Sequence, residues 1–118
     1  MSEPDLFAGV LARGPVAAAV AGPAWLRAML DAEAAIAAAG AEVGLVPPEA
    51  AERIVTVCST VELDVAALSA AAAAAGNPVV PLVRELERAV GPGAGQYVHR
   101  GATSQDVLDT AMSLVARR

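Results

Sequence analysis

The chain has 118 residues, of which 56% are hydrophobic and only 3% aromatic, and it carries a net charge of −5. That length holds one domain or part of one, and alanine supplies most of the apolar count, so the core must be modest and close-packed. All eight basic residues are arginines, scattered apart from Arg117–Arg118, which leaves no basic stripe for nucleic-acid phosphates.

The N-terminal stretch MSEPDLFAG is acidic and lacks the basic start of a signal peptide. Arg27, Asp31 and Glu33 interrupt the apolar run that follows, so it is not a membrane span. These features predict a cytoplasmic chain without a membrane partner. The first helix is expected over Pro23 to Ala39, with proline at its start and Gly40 as its stop. Trp25, Met29, Ala32 and Ile36 share one stripe of it, and Arg27 and Asp31 point the other way.

A two-proline connection, EVGLVPPEA, leads to a second helix from about Pro48 to Cys58. Cys58 is the lone cysteine, which excludes an internal disulfide and fits a buried thiol in a reducing compartment. With one cysteine and one histidine, no zinc site forms within one chain, and no metal is expected. A third helix is expected over Val61 to Ala75, aligning Val61, Val65, Leu68 and Ala72, with Gly76 ending it. The next carries Val79, Val83, Leu86 and Val90 on one face and Arg84 and Arg88 on the other. Pro78 and Pro81 confine its start. Gly91 to Gln96 reads as a loop. The last helix begins near Thr103 and aligns Leu108, Ala111, Met112 and Val115. Only Tyr97–Val98 and Val79–Val80 look extended, so the fold class is all-α.

The densest polar stretch is YVHRGATSQDVLDT, Tyr97 to Thr110, which holds the only histidine and the only tyrosine. Two compatible readings fit it. In the first, Thr103 and Asp106 form a capping box, each satisfying a free N–H of the first turn. Gly101 then permits the tight approach, Ser104 and Gln105 are solvated, and His99 is a loop residue. In the second, the same helix start is an anion site, because its unpaired N–H groups carry partial positive charge. Thr103 and Ser104 add hydroxyl donors, and His99 and Arg100 lie just upstream. Such a cluster holds a carboxylate without a metal.

The stretch VHRGATSQDVLDTA resembles the first conserved region of the fumarase/aspartase superfamily, of the type His-x-Gly-x-Thr-Ser-x-Asp. LRAMLDAEAAIAAAGAEVGLVPPEAA and AGNPVVPLVRELERAV resemble the 3-carboxy-cis,cis-muconate cycloisomerase branch of that superfamily. The three segments occur in the family's order and cover most of the chain. The resemblance implies residues 1–118 as a single helical N-terminal domain, with the family's central bundle and C-terminal domain absent. It implies a cofactor-independent cycloisomerase that lactonises a polycarboxylate in the protocatechuate branch of aromatic degradation. It also implies a homotetramer in full-length form. By position, Thr103 and Ser104 would grip a substrate carboxylate, with His99 bonding substrate or orienting its neighbours. Gln105 belongs to the motif, and Gly101 and Asp106 would be structural. Asn77 stands where adenylosuccinate lyases place a histidine, and would line the same pocket; its plainer reading is a cap before Pro78.

One departure qualifies these expectations. The superfamily's catalytic serine sits in a mobile loop with Met, Pro, Lys and Asn, and this chain contains no lysine. The chain would then supply one wall of a site and be inactive alone. Two alternatives stay open: another superfamily lyase, such as adenylosuccinate lyase, and a non-catalytic helical module that packs on other helices.

Overall fold

The computed structural model describes residues 6–118. The acidic start, residues 1–5, lies outside the described residues. Helices α1 (Ala8–Leu11), α2 (Pro15–Ala19), α3 (Gly22–Glu42), α4 (Pro48–Thr60), α5 (Val65–Ala75), α6 (Val79–Val90) and α7 (Ser104–Arg117) follow in order, with a 3-10 turn, Ala94–Tyr97, ahead of α7. No strand occurs among the described residues, so the fold is all-α.

The longest helix, α3, does not stop at Gly40. A Cβ built there would meet Val46 Cγ2 at 2.7 Å, so the glycine allows the returning chain to lie directly on the helix. The N–H groups of Leu45 and Val46 both donate to Gly40 O, at 2.8 and 3.1 Å, and tie the turn to the end of α3. Pro48 then opens α4, whose Ala50, Ala51, Ile54, Val57 and Cys58 are buried.

The third helix starts at Val65 rather than Val61. Asp64 decides the boundary, because its Oδ1 accepts from Ala66 N at 2.9 Å and Ala67 N at 3.2 Å. Val61 is extended, and of the expected apolar row only Leu68 is buried. Gly76, in the left-handed conformation, ends α5 as expected.

Val79–Val80 is the first turn of α6, not extended chain. Pro81 fits there because first-turn N–H groups have no intrahelical partner to lose. Tyr97 likewise closes the 3-10 turn, and only Val98 is extended. In α7 the buried row is Val107, Ala111 and Val115, while Met112 remains 55% exposed. That row repeats every four residues and leans away from Met112.

Helix α3 packs against both α4 and α7, and α6 closes the layer against α4, α5, α7 and the 3-10 turn. Most of the enclosed side chains are alanine and valine, which lets the helices approach closely. Leu82 and Leu86 of α6 are fully buried, each worth about 1.5–3 kcal/mol of transfer free energy. Among the described residues, no single helix is long and apolar enough to cross a membrane.

Candidate functional site

The Tyr97–Thr110 segment crosses from the 3-10 turn into α7. Its capping box is present. Thr103 N–H donates to Asp106 Oδ2 at 2.8 Å, and Asp106 N–H donates to Thr103 Oγ1 at 3.3 Å. The Thr103 hydroxyl also donates to Asp106 Oδ2, at 3.0 Å. These bonds favour the charged form, so they hold the exposed Asp106 carboxyl below its ordinary range, the backbone bond contributing most. The cap leaves the first-turn N–H groups of Ser104 and Gln105 without helical partners. The half-buried Ser104 hydroxyl has no hydrogen bond among the described residues.

His99 precedes this helix start in the chain and is not a free loop residue. Its Nδ1 lies 2.6 Å from Glu33 Oε1 on α3. The backbone of His99 takes φ 62°, the only non-glycine positive φ among the described residues. Such a conformation costs about 1–3 kcal/mol and persists only where the surroundings impose it. Gly101, at φ 84°, completes the reversal that brings the chain into α7. Glu33 is 1% exposed, and its Oε2 is buried with no hydrogen-bond partner. Burial pushes the Glu33 carboxyl up, and the facing imidazole opposes that rise.

The sequence pattern missed Glu33, which entered only as a charge that breaks up a membrane span. A signal was there. Leu30, Glu33, Ala37 and Gly40 form a row at spacings of three, four and three, and all four are buried. A carboxylate in that row marks a polar group carried into the core.

The remaining candidates are placed differently. Asn77 Oδ1 accepts from Val79 N at 2.9 Å and Val80 N at 3.3 Å, so it caps α6. No hydrogen bond joins it to His99, Thr103 or Ser104. Gln105 Nε2 donates to Asp109 Oδ1 at 2.6 Å along the exposed face of α7. Arg100 turns back, donating to Gln96 O at 3.0 Å with its guanidinium 5.0 Å from the Tyr97 ring centre. Cys58 is buried, as expected, and burial pushes its thiol up to about 11. Among the described residues, no three His, Cys, Asp or Glu side chains cluster as a metal site would require.

An all-helical frame carries the region read from the sequence, with a Thr-Ser helix start and a partly buried histidine paired to a buried glutamate. The Lyase family model matches residues 16–118. The chain belongs to this lyase family of the fumarase/aspartase superfamily, and its fold is that of the superfamily's helical N-terminal domain. It is 48% identical to nitrosuccinate lyase from Streptomyces davaonensis, a match that covers 98% of the chain and 25% of the relative. Its identity to 3-carboxy-cis,cis-muconate cycloisomerase from Bradyrhizobium diazoefficiens is 44%, covering 95% of the chain and 26% of that enzyme. Adenylosuccinate lyase from Methanocaldococcus jannaschii is 41% identical over 78% of the chain and 20% of its own length. The crystal structure of beta-carboxy-cis,cis-muconate cycloisomerase from Acinetobacter calcoaceticus sp. ADP1 superimposes with a TM-score of 0.86 at 38% identity, covering 96% of this chain and 27% of that one. The chain thus spans about a quarter of the length of the relatives that cover nearly all of it.

Proposed function

We propose that the start of α7 binds a substrate carboxylate, and that the whole protein is a 3-carboxy-cis,cis-muconate cycloisomerase. The observation that carries the binding proposal is the division of labour at α7. Thr103 and Asp106 satisfy the cap, while the Ser104 hydroxyl and two first-turn N–H groups stay available a few residues after His99. Asn77 enters through its amide Nδ2, since its Oδ1 is committed to the cap. Gln105 flanks the site.

In the proposed reaction a substrate carboxylate oxygen forms a C–O bond to an alkene carbon, and the neighbouring carbon takes a proton. No atoms leave and no electrons enter, so the step needs no cofactor. The intermediate holds carbanion charge beside a carboxylate, and fixed donors aimed at that carboxylate stabilise it. The residues here supply one wall. On this reading the rest of the site comes from elsewhere in a cytoplasmic homotetramer, and the 118-residue chain alone does not turn over substrate.

A second reading is a lyase acting on a substituted succinate, favoured by the 48% identity to nitrosuccinate lyase over almost the whole chain. Both readings place a carboxylate at α7. Assaying the protein from its native host with 3-carboxy-cis,cis-muconate and with nitrosuccinate separates them. Lactone formation supports the first and loss of nitrosuccinate the second. Turnover of neither, with no shift of the Thr103 and Ser104 amide resonances on titration, would leave a non-catalytic helical module.

A further inference from the structure

We infer that Glu33 is a positioning residue for His99: it fixes the proton of Nδ1, so that Nε2 is the atom presented to the substrate carboxylate. The inference deepens the carboxylate-binding reading and rests on it for the ligand alone.

A separation of 2.6 Å between Nδ1 and Oε1 requires one proton between the two atoms. With Glu33 ionised and the imidazole neutral, that proton belongs to Nδ1, and Nε2 carries the lone pair. With one proton more, Nε2 becomes an N–H donor. In both states the ring cannot flip without breaking the contact. Nε2 makes no hydrogen bond among the described residues and is not sealed from solvent, and the His99 side chain stays 18% exposed. The pair therefore has a closed end on α3 and an open end at Nε2.

Packing does not account for this arrangement. Glu33 is enclosed on a helix face otherwise made of alanine, leucine, methionine and glycine, and its second oxygen is unpaired. An apolar side chain would fill the same place without stranding an acceptor. His99 also holds a left-handed backbone that an unanchored residue would leave. A second carboxylate is held at Nε2 only by the ring that carries a proton on each nitrogen, since a bare Nε2 lone pair offers it no donor. The imidazolium would then donate from each nitrogen to one carboxylate.

His99 is the only histidine, so the imidazole spectrum of the chain holds one ring. Long-range proton–nitrogen correlation on the nitrogen-15-labelled chain, above the titration of the ring, reads the tautomer directly. Wild type should carry the proton on Nδ1, the minor form of free histidine in water. Glu33→Leu should revert to the Nε2–H form while its backbone amide spectrum stays folded. A wild-type ring protonated on Nε2 overturns the inference without any variant. So does a folded Glu33→Leu that keeps the wild-type tautomer. If Glu33→Leu does not fold, the wild-type spectrum decides. Titrating fumarate into the full-length protein then tests the ligand separately, because the chain alone supplies one wall of the site. An Nδ1–H ring together with a wild-type fumarate affinity in full-length His99→Gln leaves the positioning role standing and defeats the carboxylate reading at His99.

Discussion

At the start of α6 one side chain carries the whole cap, with Asn77 Oδ1 accepting from the N–H groups of Val79 and Val80. At the start of α7 the cap is shared, with Thr103 and Asp106 closing a reciprocal box. The difference lies in what remains. At α6, Pro78 and Pro81 have no N–H to offer, and only the Asn77 amide nitrogen is left over. At α7 a hydroxyl, two backbone N–H groups and an anchored histidine remain. Stabilising a helix start and binding an anion there draw on the same donors. A start serves both roles only when they fall to different atoms.

The largest effect comes from breaking the layer beneath both starts. Leu82 is fully buried in α6, which contacts α4, α5 and α7. Leu82→Ala should lose about 2–5 kcal/mol of unfolding free energy, read as a lowered urea midpoint with an unchanged slope. Gly101→Ala acts on the α7 side alone. A Cβ there has room, its nearest neighbour being Leu45 Cδ1 at 3.6 Å, so only the φ of 84° opposes it. The expected loss is about 1–2 kcal/mol by thermal melting.

The caps sharpen the comparison. Thr103→Ala and Asn77→Ala should each lose about 1 kcal/mol of stability, measured by chemical denaturation. Fumarate affinity, measured by calorimetry, should fall in both. Asn77→Asp separates the two roles at α6, because aspartate keeps the cap and removes the amide donor. Stability should hold while affinity falls. Unchanged affinity in Asn77→Asp would confine the site to α7.

Much of this was legible in the sequence because it is local. Proline and glycine punctuation gave α4, α5 and α6 to within a few residues, and Thr103 with Asp106 announced the box. The misreadings share a cause, which is that local signals served tertiary ends. Gly40 reads as a stop, yet it is a contact surface for Val46. Met112 falls close to the apolar row of α7, yet the direction of packing exposes it. Glu33 and His99 are 66 positions apart, and no periodicity links them. Only the packing of α3 against α7 brings them together. The carboxylate in the row Leu30, Glu33, Ala37 and Gly40 was the one readable trace of that contact.

The smallest effect tests the α7 box by pH. Asp106 is fully exposed, and its depressed carboxyl reflects chiefly the backbone and hydroxyl bonds of Thr103 to the charged form. In the unfolded chain an aspartate titrates near its ordinary value of about 3.9. A group depressed on folding adds stability that is complete above the unfolded value and disappears as pH falls through the folded one. Wild type should therefore melt above Asp106→Asn at neutral pH, and the gap should begin to narrow as pH falls below about 4 and vanish only below the depressed folded value. Asparagine keeps a carbonyl acceptor for the Thr103 N–H but not the charge, so the gap isolates the electrostatic part of the box. A gap that persists unchanged into acid would mean that the shape of the cap, rather than its charge, holds α7. The ionised Asp106 would then also count against an incoming carboxylate, and Asp106→Asn should bind fumarate more tightly at neutral pH.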